Sequence, residues 1–173
     1  MTLSAFHPSV PVVKRLSLFL GLIGVIAATG AVTSRGAFAG QAEDRLDAAK
    51  LKAMINGLGY ETSDLNTEVG KEKYQFKITK GSLDVPMAAE FSPSKNYIWF
   101  TVFLGASKPT LKFEDMLKRN SEIQPSQFYI TSKGNLMMAI AIDNRSVSAA
   151  VMKRNVDKLA DDVESTQSLW STN

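Results

Sequence analysis

The chain has 173 residues, with 20 Lys and Arg against 17 Asp and Glu, one histidine and no cysteine. Lys14, Arg15, Arg35 and the histidine, His7, all lie in the first 39 residues, which hold no acidic residue, so residues 40–173 are electrically balanced and lack both His and Cys. Such a domain has no Ser-His-Asp triad, no cysteine nucleophile and no zinc site built from nitrogen and sulfur ligands.

The leading segment comes first in chain order. Lys14-Arg15 precede an uncharged, largely apolar run from Leu16 to Ser34, and Ala37-Phe38-Ala39 stand just before Gly40. A basic start, an apolar stretch and small residues at Ala37 and Ala39 predict a secretory signal peptide over 1–39, cut after Ala39. The alternative is an uncleaved membrane anchor over 16–34, close to the ~20 residues a span needs. In either case residues 40–173 form a single domain outside the cytoplasm, periplasmic or secreted, touching the membrane only through an uncleaved leader. Without cysteine that domain folds on its core alone.

Gln41 to Gly57 is expected to be a helix. Leu51, Met54, Ile55 and Leu58 make one apolar stripe, with Glu43, Asp44 and Asp47 in its first turns. Asn56-Gly57-Leu58-Gly59 closes it, and Thr62 to Gly70 is a polar connection. Tyr74, Phe76 and Ile78 alternate with Lys73, Gln75, Lys77 and Thr79, a half-buried strand. Gly81-Ser82 turns into a second strand, Leu83 to Phe91, in which Pro86 demands an edge or a bulge. After the loop Ser92-Pro93-Ser94-Lys95-Asn96 comes the most strongly apolar strand, Tyr97 to Leu104. Ile98, Phe100, Val102 and Leu104 take one face; Tyr97, Trp99 and Phe103 take the other.

Thr110 to Asn120 is a short helix, followed by a hairpin that carries Phe128 and Ile130 on one arm and Leu136, Met138, Ile140 and Ile142 on the other. A closing helix runs from Val147 to about Ser168, with Lys158 and Asp162 spaced as an i, i+4 pair. The predicted fold is α+β: a five-stranded, mainly antiparallel sheet with three helices, in the order α-β-β-β-α-β-β-α.

The motifs that carry this pattern are Leu58-Gly59-Tyr60, Met116-Leu117-Lys118-Arg119-Asn120, Phe128-Tyr129-Ile130, Leu136 and Ile142-Asp143-Asn144-Arg145. With them the chain resembles the type III secretion chaperone-like fold and, within it, the YbjN-like family of bacterial sensory transduction regulators. That resemblance implies an antiparallel sheet with helices packed on it and often a dimer, with no catalytic residues to carry over. Members of that family are mostly cytosolic, whereas the leader here predicts export.

Other motifs reduce to structural roles. Ser92-x-x-Lys95 sits in a proline-containing loop with no K-T-G partner, so it is turn chemistry. Asp157, Asp161 and Glu164 share a helix face with lysines nearby, a solvated surface rather than a cation site. Gly57-x-Gly59 follows a helix, where a dinucleotide motif would precede one. Lys71, Lys73 and Lys77 make a basic strip, but Asp84 and Glu90 can pair with it across the hairpin. No nucleic acid, cofactor or metal is implied.

The remaining candidate is the Tyr97, Trp99 and Phe103 face with Met137 alongside, since aromatics and Met are enriched in contact surfaces. The sequence reading is a non-catalytic, exported protein-interaction or chaperone-like module. Its partner is an unidentified protein or a second copy. The alternative is a carrier for a small apolar ligand or lipid, held between sheet and helices.

Overall fold

A computed structural model describes residues 45–145 and 147–171. The leader over 1–39, its cleavage residues Ala37 and Ala39, the alternative anchor over 16–34 and the start of the predicted first helix lie outside the described residues. The described elements are α1 (Ala48–Gly57), β1 (Ser63–Asn66), β2 (Lys73–Lys80), β3 (Leu83–Phe91), β4 (Tyr97–Ala106), α2 (Phe113–Asn120), β5 (Gln127–Ile130), β6 (Asn135–Asp143), α3 (Ala149–Ser165) and α4 (Gln167–Trp170). All six strands join one antiparallel sheet in the order β1-β2-β3-β4-β6-β5.

Two counts differ from the expectation: the sheet has six strands rather than five, and there are four helices rather than three. The added strand, β1, lies in the stretch read as a connection. It is an edge strand exposed along most of its length, so neither face imposes the apolar alternation that marks a strand in sequence. The added helix arises because α3 stops at Ser165. The Thr166 hydroxyl, buried, donates to the Asp162 carbonyl at 2.6 Å, and a single further turn folds Trp170 back so that its indole N–H donates to the Val163 carbonyl at 3.2 Å. At the other end, α1 begins only at Ala48, because the Asp47 side chain accepts the Lys50 N–H as an N-cap. Gly59 closes α1 at φ +91°, a conformation that disfavours side chains with a Cβ.

Pro86 settles on the edge reading. The β2–β3 register passes through Lys77↔Pro86 without a shift, while pairing of β3 to β4 stops at Met87. The missing N–H therefore falls where β3 has no neighbour.

The core occupies one face of the sheet. Phe76, Met87, Phe100, Met138 and Ile140 are buried there against Leu51 and Ile55 of α1, Met116 of α2, and Met152, Val156, Leu159 and Val163 of α3. Tyr60 stacks on Phe76 at 5.3 Å between ring centroids, and Phe76 meets Phe100 edge-on at 6.3 Å. Two buried or half-buried asparagines tie loops to this layer. Asn120 accepts the Phe128 N–H at 2.7 Å and donates to its carbonyl, which joins α2 to β5. Asn144, 1 % exposed, links the start of α1 to the β3–β4 loop. With all the larger helices on one side, the opposite face of the sheet is left uncovered among the described residues.

Candidate interaction surface on the open sheet face

Side chains alternate across a strand, so burying Ile98, Phe100 and Val102 necessarily turns Tyr97, Trp99, Thr101 and Phe103 to the open face. Tyr97 is 46 % exposed and Phe103 55 % exposed; Trp99 and Met137 are half-buried. The register places these residues in successive cross-strand rows. Tyr97 sits opposite Asp143 at the end of the sheet, Trp99 between Glu90 and Ala141, and Phe103 opposite Met137, which in turn faces Tyr129 on β5. Phe103 and Met137 are thus direct neighbours, whereas Tyr97 and Phe103 lie six residues apart on one strand, about 20 Å.

Between the Trp99 row and the Phe103 row runs a row of small side chains: Ala88 opposite Thr101, Thr101 opposite Ala139, and Ala139 opposite Gln127. A trough of about 890 Å³ opens beside this row, lined by Trp99, Thr101, Gln127 and Tyr129, and by Lys71, Glu72, Lys73, Glu90 and Phe91 toward the β1–β2 and β3–β4 connections. Sequence reading missed Thr101, Gln127 and Tyr129 as site residues. Only the pairing of β5 with β6 brings Gln127 and Tyr129 beside β4's face, and nothing local in the sequence encodes that register.

The lysines on this face are paired within the fold. Lys73 meets Glu90 at 2.9 Å, Lys77 meets Asp84 at 2.9 Å, and Lys71 meets Glu68 at 2.7 Å, so the basic strip is neutralised in place. Bonding from Lys77, and next from Thr79, holds the Asp84 carboxyl below its ordinary value. Burial, helped by the nearby Glu90 carboxylate, pushes the Tyr129 phenol above its ordinary value, so it stays protonated and able to donate.

The other motifs sit where their structural roles require. The Ser92 hydroxyl accepts the Tyr97 N–H at 3.2 Å within the turn, with Lys95 at φ +57°. Asp157 pairs with Lys153 at 2.7 Å and Asp161 with Lys80 at 2.7 Å, along an open helix face. Among the described residues no group of three or more Asp, Glu, His or Cys converges as metal ligands do. The space between sheet and helices, which an internal carrier site would need, is filled by the core side chains.

No family model matches the sequence, and no curated protein does. Among solved structures, the chain is similar to one from the heterodimeric ExoU–SpcU complex of the type III secretion system of Pseudomonas aeruginosa. The TM-score is 0.51 at 14 % identity, covering 70 % of this chain and 98 % of that one. At this identity the likeness is one of fold alone. A similarity to the Yersinia pestis type III secretion chaperone SycH, solved with a stable fragment of YscM2, has a TM-score of 0.46 at 13 % identity, over 66 % of this chain and 94 % of that one. At such identities the likeness concerns the arrangement of strands and helices, and the side chains of the open face are this chain's own.

Proposed function

We propose that this protein is a non-catalytic, exported protein-interaction module of chaperone-like type, and that the open face of its sheet is the contact surface. One observation carries the reading: the central strand β4, whose other face forms the middle of the core, presents Tyr97 and Phe103 to solvent with Met137 directly beside Phe103. Exposed aromatics and Met on a rigid central strand are the composition of an interface core, and a flat strand surface orders few side chains on binding. The resemblance to YbjN-like proteins supports the same reading, as does the leader for a place outside the cytoplasm. The occupant is a protein partner or a second copy of the chain.

Sedimentation and pull-down test it. Trp99→Ala and Phe103→Ala are expected to weaken self-association or partner capture while leaving the circular dichroism spectrum and unfolding midpoint close to those of the wild type. Folded variants that sediment and capture as the wild type does would sink the proposal.

A further inference from the structure

The trough across the open face holds an unusual set of polar groups. The Trp99 indole N–H, the Thr101 hydroxyl, the Gln127 amide and the Tyr129 phenol have no hydrogen-bond partner among the described residues. Thr101 is 5 % exposed, and its oxygen is buried and unsatisfied at the floor. A buried hydroxyl left unpaired costs free energy, so its persistence at the floor of a depression points to a ligand. The ionic groups of the rim, in contrast, are already engaged: Lys73 with Glu90, Lys71 with Glu68. Glu72, which also lines the trough and accepts the Gly70 N–H, adds a carboxylate that repels an anionic ligand and can accept from hydroxyls. The aromatic faces of Trp99 and Tyr129 are negative at their centres and attract polarised C–H groups. The volume, about 890 Å³, falls within the roughly 300–1,000 Å³ typical of small-ligand sites.

From this combination we infer a ligand site, sharing Trp99 with the protein-contact face but not Tyr97 or Phe103, for an uncharged, hydroxyl-rich molecule with a flat C–H face: a neutral oligosaccharide. Sugar hydroxyls both donate and accept, which matches an amide, a phenol, an indole N–H and a buried hydroxyl. A peptide strand added to the edge strand β5, whose Gln127 and Tyr129 line the trough, is the competing occupant that the test separates.

The test is a fluorescence titration of the full chain in a Trp170→Phe background, which leaves Trp99 as the sole tryptophan, with cellohexaose, maltohexaose and N-acetylchitohexaose as probes. At least one should give saturable, salt-independent change. Gln127→Ala and Thr101→Val should each weaken it about tenfold, the worth of one well-placed hydrogen bond to a buried site, without lowering the unfolding midpoint. Phe103→Ala should leave sugar binding intact even where it abolishes protein association, so the two proposals can fail separately. Binding of none of the three sugars overturns the inference. So does equal binding by the Thr101→Val and Gln127→Ala variants, or saturable binding only by a neutral acetylated and amidated peptide of Ser, Leu and Phe.

Discussion

The Asn144 side chain and the Leu46 backbone exchange two hydrogen bonds, each 3.1 Å: the Leu46 N–H donates to the amide oxygen, and the amide nitrogen donates to the Leu46 carbonyl. The same nitrogen also donates to the Lys95 carbonyl at 3.0 Å. One buried amide thereby joins three segments far apart in sequence: the approach to α1, the β3–β4 loop and the end of β6. Asn120 does the same for α2 and β5 through Phe128. Both asparagines belong to the motifs that carried the family resemblance, and both act as structural clips.

Asn144→Ala should therefore destabilise the domain by about 1–3 kcal/mol, since three backbone groups lose their partner at a part-buried site. Asn144→Asp should not rescue it. A carboxylate can accept from Leu46 but confronts two carbonyl oxygens where the amide donated. Urea denaturation of the three proteins checks this, and an Asp variant as stable as the wild type would refute it.

Among the described residues, Lys158 and Asp162 form the ion pair with the most buried acidic partner. The Lys158 ammonium donates to Asp162 at 2.6 Å and to the Ile123 carbonyl at 3.0 Å, which pins the loop after α2 to α3. The Asp162 side chain is 9 % exposed and that of Lys158 37 %. Breaking such a half-screened pair from one side should cost about 1–3 kcal/mol. Asp162→Ala should lower stability by that amount, and adding Lys158→Met should restore much of it. A double-mutant cycle that finds strictly additive effects would remove the pair from the account.

Asp143 accepts from the Arg145 backbone N–H at 2.8 Å and from its guanidinium, and these bonds, the side-chain contact first, hold its carboxyl down to about 2. A depressed carboxyl pKa contributes stability that is complete above its unfolded value near 4 and is lost as pH falls through about 2. Proton-detected NMR titration should place the Asp143 midpoint near pH 2 in the wild type. In Arg145→Met it should rise toward the ordinary carboxylate range; an unmoved midpoint would assign the shift to another cause.

Thr101→Val removes a buried, unpartnered hydroxyl without changing side-chain volume. Valine also suits a central strand. Thermal or urea unfolding should show a gain of about 1 kcal/mol. A loss instead would mean that the hydroxyl is satisfied in solution.

Much of this molecule was legible in its residues taken a few at a time. Alternation around Phe76, Phe100 and Ile140 marked β2, β4 and β6, because a strand with one face in a core must repeat every second residue. The i, i+4 spacing of Lys158 and Asp162 and the glycines after α1 announced their local contacts in the same way. The absence of His and Cys from residues 40–173, and the neutrality of that stretch, restricted the chemistry before any fold was known. What required the tertiary structure is what joins distant residues. β1 is recognisable only by its pairing with β2, since an exposed edge strand has no face to pattern. The trough exists because Thr101 falls in one row with Gln127 across β6, and Tyr129 is carried to Trp99's side of the sheet by the β5–β6 register. Register is set by the whole sheet's packing against its helices, and a shift of one residue would have turned that row into the core.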